Sequence, residues 1–279
     1  MINRDPLHVA ARSVLLDALV AAAAYRRSLI VVGAQAVYLR TDASRPLAVA
    51  GFTTDGDIVI DPALLPTTPP LEATLSDAGF VRTAHPGSWA RTIAIDGRQI
   101  EVQVDFMVPE AVAPGRGRRS VELEGHDRHA ARRVRGLEAA LVDHGLLRIA
   151  AIDQADRRAV TAQVAGPAAL LIAKTHKVSE RVETGRHRRT PVDKDAGDMF
   201  RLVQATSIAD MAAGFRSALA AEVSREIARS ALDQLVALFG HRSRAGVAMA
   251  TRAIGIAGED PETIAAILTA YVEGLRAAL

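Results

Sequence analysis

The chain changes character at Gly166-Pro167. Before that point, short apolar or alternating runs predict strands interleaved with helices; after it, every apolar pattern has a helical period. A chain of this kind folds as α+β. We expect a mixed sheet with flanking helices over residues 1–165 and a helical bundle over 166–279. With 279 residues, both parts can bury a core.

Within the first part, the patterns predict a helix over 7–27, a strand over Leu29 to Val32 and a helix over Ala34 to Arg40. Thr41 to Gly51 reads as a loop, and Ile58 to Ile60 continue a strand. Thr68-Pro69 opens a helix running to about Ala78. Strands follow near 80–83, 90–95 and 99–107, the last two joined by Asp96-Gly97, a hairpin signal. Further strands are expected near 137–142, 146–151 and 158–164, and the segment PGRGRRS at 114–120 reads as a mobile loop. In the second part, five or six helices fit between 167 and 278. Thr190 to Asp193 and Ser207 to Asp210 match a capping box, and Asp260-Pro261 starts the final helix.

Composition narrows the class. Hydrophobic residues make up 49% and charged residues 24%, a soluble globular balance. There is no cysteine, which excludes disulfides, zinc thiolates and a thiol nucleophile and suits a reducing compartment. The N-terminus lacks a secretory pattern, and the apolar stretch Val14 to Ala24 is interrupted by Asp17 and too short to span a bilayer. The expectation is a cytoplasmic protein without membrane contact. A net charge of +2 implies no strong nucleic-acid field. Of 34 basic residues only Lys174, Lys177 and Lys194 are lysine, and all fall in one segment. Such clustering in an arginine-rich chain reads either as a need for a compact ammonium or as chance.

Three acidic positions carry the chemistry. In a strand, residues two apart share a face, so Asp55 and Asp57 of TTDGDIVID can converge on one ion. Glu101, Gln103 and Asp105 likewise share a face, opposite Val102, Val104 and Phe106, and Asp105 can supply a third ligand. Magnesium favours carboxylate, phosphate and water oxygens. Two such ions about 4 Å apart neutralise a phosphate and activate an attacking oxygen. Upstream, VVGAQAV is a strand, a glycine turn and a helix, so amides near Gly33 can meet a triphosphate. An isolated Asp-x-Asp also reads as a solvated turn.

A second cluster follows. On a helix from Pro167, Lys174, Lys177 and Arg181 form one stripe at the edge of the apolar face, and Asp195 and Asp198 repeat the spacing on the next helix. One reading has the cations hold nucleotide phosphates across an interdomain cleft, with the aspartates orienting nucleotide or acceptor. The other is a structural ion-pair seam between neighbouring helices.

The arrangement resembles the DNA-polymerase-β-like nucleotidyltransferase superfamily, and within it the AbiEii-like toxins of type IV toxin–antitoxin systems, including the MenT-type group. The carrying pieces are VVGAQAV, TTDGDIVID, VDF, and Lys174 through KDAGDMFRL, spanning about residues 28–205. The resemblance implies a metal-dependent transfer of a nucleoside monophosphate from an NTP to RNA, such as a tRNA 3′ end, by a toxin with a cognate antitoxin. It implies Mg²⁺ or Mn²⁺ on Asp55, Asp57 and Asp105, catalysis by these with Lys174, and nucleotide contacts from Gly33, Lys174, Lys177, Arg181, Asp195 and Asp198. Three features depart from the family: Ala34 replaces a frequent serine, the gap from Gly33 to Asp55 is long, and Gly56 replaces a usual apolar residue.

Two other functions compete: transfer to a small, antibiotic-type molecule, and a non-catalytic member that binds nucleotide or a partner. A basic rim favours RNA; an enclosed acidic pocket favours a cationic drug. Seven arginines between 116 and 135, offset only by Glu122, Glu124 and Asp127, read as RNA contacts or as a solvated face. His126 and His129 read as surface histidines or a weak metal pair. No Walker-type loop, dinucleotide fingerprint or Gly-x-Ser-x-Gly elbow is present.

Overall fold

The structure, a computed structural model, describes residues 5–41, 55–95, 97–115, 119–185, 193–255 and 258–279. Most of the Thr41–Gly51 loop, Asp96 of the expected hairpin turn, the centre of PGRGRRS and Thr190 to Val192 of the first capping box lie outside these residues. The chain forms two compact units: Met1–Ala36 with Phe52–Leu137 and His144–Ala165, and Val37–Gly51 with Glu138–Asp143 and Gly166–Leu279. A single cut in the sequence does not anticipate the two short segments that join the helical unit.

The first unit contains α1 (Pro6–Ala21), β1 (Leu29–Val32) and the opening of α2 (Gly33–Arg40). It continues with β2 (Asp55–Ile60), α3 (Leu71–Asp77), β3 (Val81–Arg82), β4 (Ser88–Ile95) and β5 (Arg98–Pro109). β6 (Arg132–Val134), β7 (His144–Ala150) and β8 (Ala159–Ala165) complete it. The sheet is mixed, in the order β3-β4-β5-β2-β1-β8-β7, with β6 paired to β5 beyond the end of β4. β1 is antiparallel to β2 and parallel to β8; β2 runs parallel to β5.

Burial follows the residue pattern. The continuous apolar run of β1 is buried throughout, as a central strand requires. β5 alternates, with Val102, Val104 and Phe106 buried and Glu101 and Gln103 exposed. α1 starts at an Asp5 cap, whose Oδ1 accepts from the Leu7 amide at 2.8 Å, with Pro6 at the first helical position. The helix packs on β2, β4, β5 and β8. Its Leu15 lies over Gly56, where an added Cβ would come within 3.2 Å of Leu15 Cδ1 and 3.4 Å of Val104 Cγ2. Glycine at 56 therefore has a packing reason: it lets α1 approach the sheet.

The second unit contains α4 (Pro167–Glu183), α5 (Lys194–Ala205), α6 (Ile208–Ala220), α7 (Glu222–Phe239), α8 (Ala245–Gly255) and α9 (Pro261–Ala278). α4 packs against α5, α6 and α7; α8 packs against α5, α7 and α9. Phe200, Phe215 and Phe239 are fully buried. Ser207 Oγ accepts the Asp210 amide at 3.1 Å, and Asp260 Oδ2 accepts that of Thr263 at 2.9 Å. No described helix is long and apolar enough to cross a membrane.

Three expected elements change. The strand near 137–142 is a 3₁₀ turn, Glu138–Leu141, with Glu138, Ala139 and Ala140 buried; a short apolar run does not itself distinguish strand from helix. α3 begins at Leu71 rather than Pro69, because the residue before a proline is driven from helical geometry and Pro70 follows Pro69. The first helix ends at Ala21 and gives way to a 3₁₀ turn over Ala23–Tyr25. The close seating of α1 yields a test. Gly56→Val should destabilise the protein by about 1–3 kcal/mol through overpacking, read as a lower denaturation midpoint in urea; an unchanged midpoint would show that α1 yields freely there.

Candidate functional site

The parallel pairing of β2 with β5 sets Asp57 opposite Asp105 and Asp55 opposite Gln103. Antiparallel pairing sets Ser88 of β4 beside Asp105 and Val32 of β1 beside Asp57. Val32, Asp57, Asp105 and Ser88 thus form one row across four strands, and Asp55, two residues before Asp57, shares its face. Gly56 and Val104 face α1, so the carboxylates occupy the other side of the sheet. Asp55 is exposed; Asp57 and Asp105 are half-buried.

Gly33 completes this arrangement. Its φ is +67°, and a Cβ there would sit 1.9 Å from Asp57 Oδ2. Only glycine leaves room for that carboxylate. Asp57 therefore lies against the N-terminus of α2, where backbone amides present partial positive charge. Ala34, which stands where the resemblance leads one to expect serine, is 4% exposed and packs into the core.

Asp105 has a partner within its own unit: Arg132 Nη2 donates to its Oδ2 at 2.6 Å. The donor set suits a hard cation, since neighbouring strands lie about 4.8 Å apart and carry aspartates in register. The guanidinium shows that a positive charge is accommodated beside Asp105. Among the described residues, no group of three or more acidic, histidine or cysteine side chains is gathered closely enough to form a metal site. The three expected carboxylates lie on one face of the sheet, with Asp57 and Asp105 paired in register.

The lysine cluster departs from its expected setting. Lys174 is 5% exposed, not at the edge of its helix, because α4 is packed by α5, α6 and α7. Its Nζ donates to Asp195 Oδ1 and to Asp198 Oδ2, both at 2.6 Å. Arg181 pairs with the other oxygen of Asp195, while Lys177 is exposed. Burial works against charge on Lys174, but the carboxylates of Asp195 and Asp198 outweigh it and hold its pKa above the ordinary lysine value. Burial likewise opposes charge on Asp195, and Lys174, Lys177 and Arg181 outweigh it, holding that carboxyl below the usual range. The Lys174 ammonium is spent inside the helical unit; the cluster is the ion-pair seam, extended by Asp193, buried and bonded to Arg252 Nε at 2.7 Å.

Two features escape a reading of motifs. Arg132 was only one arginine among seven; its role comes from β6 pairing with β5, a long-range register with no local signal. His126 is structural: its Nδ1 accepts from the Leu71 amide at 3.0 Å and its Nε2–H donates to the Pro66 carbonyl at 2.9 Å. Both ring nitrogens are engaged, which removes it from a metal pair with His129.

The seam gives two expected outcomes. Lys174→Ala should cost about 3–5 kcal/mol, because it strands two buried carboxylates; denaturation that matches wild type would show the pair carries no stability. The pH dependence follows from the shift directions. Asp195, depressed in the folded state, contributes stability above the ordinary carboxylate pKa of about 3.9, and this is lost as pH falls. Lys174, raised in the folded state, contributes below the ordinary lysine value of about 10.4, and this is lost as pH rises past it. Urea midpoints should therefore plateau between roughly pH 5 and 10, and the deficit of Lys174→Ala should narrow toward acid, where protonated carboxyls need no partner. A deficit constant down to acid unfolding would reject the electrostatic account.

Comparison of the chain with known protein families, curated proteins and solved structures finds no match.

Proposed function

We propose that the chain is a metal-dependent nucleotidyltransferase that moves a nucleoside monophosphate from an NTP to RNA, with a tRNA 3′ end as the acceptor, in the cytoplasm, as the toxin partner of a protein antitoxin. The supporting observation is the paired row of Asp57 and Asp105 with the Asp57 carboxylate lodged against Gly33 at the start of α2. That row places carboxylates beside a helix N-terminus suited to phosphate. The general resemblance of the motifs suggests the reaction class, and the geometry of the row supports the choice of residues.

In this reading Asp57 and Asp105, with Asp55 at the strand's start, would hold Mg²⁺ or Mn²⁺. When bound, the ion neutralises phosphate charge and lowers the pKa of the attacking hydroxyl. The amides beside Gly33 orient the phosphates. The acceptor oxygen forms a bond to the α-phosphorus as the bond to the β-phosphate oxygen breaks and pyrophosphate leaves. Lys174, Asp195 and Asp198 position helices α4 and α5. One observation favours the non-catalytic alternative: Arg132 already neutralises Asp105.

The test is incubation with magnesium, each labelled NTP, and either total RNA or protein. Asp57→Ala should reduce transfer by about 10²-fold or more, because it removes charge stabilisation that acts mainly in the transition state. The same substitution should relieve growth arrest if the wild-type chain halts growth on expression. A folded Asp57→Ala protein that still transfers nucleotide would move the reading to nucleotide binding without catalysis.

A further inference from the structure

Beside the carboxylate row lies a cleft of about 350 Å³ whose lining includes His85, Ser88, Asp105, Arg119, Arg132 and Arg133. Its frame is tied by backbone bonds: the Gly87 amide donates to the His129 carbonyl at 2.9 Å, and the Phe106 amide to the Gly87 carbonyl at 2.7 Å. Gly87 permits this approach, since a Cβ would lie 2.4 Å from the Phe106 carbonyl oxygen. Arg133 secures one wall, its Nη2 donating to the carbonyls of Ala113 at 3.1 Å and Gly115 at 2.7 Å.

Three guanidiniums thus face one carboxylate. Arg132 is matched by Asp105, whereas the side chains of Arg119 and His85 form no hydrogen bond or ion pair among the described residues. Charge this uneven in a rigid cleft suits an anion. The volume is at the lower end of ligand pockets, about 300–1,000 Å³, enough for one nucleotide unit. No phenylalanine, tyrosine or tryptophan is among the lining residues, so contact falls mainly to the sugar–phosphate backbone. Ser88 is two strand steps from Asp57 in the same row, roughly 10 Å, so a strand seated here can run toward the carboxylates.

We infer that this cleft binds the phosphodiester backbone of a single-stranded polynucleotide, the acceptor, through Arg119, His85 and Arg132. The inference rests on the transferase reading and adds where the acceptor strand lies. Arg132 is a positioning residue here: it bridges the strand's phosphate and Asp105.

The experiment measures binding of a short labelled single-stranded RNA to the full chain by fluorescence anisotropy, with chelator present, over a series of salt concentrations. Arg119→Ala leaves folding intact, because its side chain is exposed and bonds to nothing described. It should weaken binding several-fold at low salt and lower the slope of log affinity against log salt by about 0.7, the loss of one phosphate contact; adding His85→Ala should weaken binding further. Unchanged affinity and slope in both variants overturn the inference. ATP binding that depends on Arg119, with RNA binding that does not, also overturns it, making the cleft a triphosphate site. Arg119-dependent RNA binding by a chain that never transfers nucleotide would leave the cleft standing and fail only the transferase reading. Transfer without Arg119-dependent binding would do the reverse.

Discussion

The register of β2 against β5 governs the candidate site. Side chains along a strand alternate between faces, so a slip of one residue would carry Asp57 into the face covered by α1 and turn Gly56 outward. Two contacts oppose that slip. On one face Leu15 needs the space that only glycine at 56 leaves, and on the other Asp57 needs the space that only glycine at 33 leaves. Apolar packing on one side and a carboxylate on the other therefore specify the same pairing.

The two charged clusters follow different physics. Asp105 and Arg132 are both partly exposed, with side-chain exposures of 18% and 32%, so water screens their attraction and their exchange for other ions costs little. Lys174, Asp195 and Asp198 are buried, with side-chain exposures of 6% or less. Their desolvation is large and is offset only while the set stays complete. An exchangeable pair suits a site that must admit a ligand; a closed set suits a helix junction. That difference is why the proposed function rests on the sheet carboxylates rather than on the lysine helix.

Much of the architecture was legible in the chain. Leu29 to Val32 forms the strand that its apolar run predicts, Ser207 and Asp260 cap the helices they were expected to cap, and six helices follow Gly166 among the described residues. These are local properties, decided by periodicity and capping chemistry. The stretch at 138–141 was not legible, since an alanine-rich run takes its conformation from what it packs against. Nor was the setting of Lys174: a helical stripe shows which side chains share a face, but not whether another helix covers it.

The sequence by itself determined the elements, the alternation that puts Asp55 and Asp57 on one face, and the glycine at 33 that leaves space beside them. Only the tertiary structure decided that Asp57 meets Asp105, that Arg132 reaches the same carboxylate, and that Lys174 is buried between aspartates. The reason is range. Backbone propensity acts over a few residues, whereas pairing between strands about 50 positions apart and burial between helices depend on how the whole unit closes.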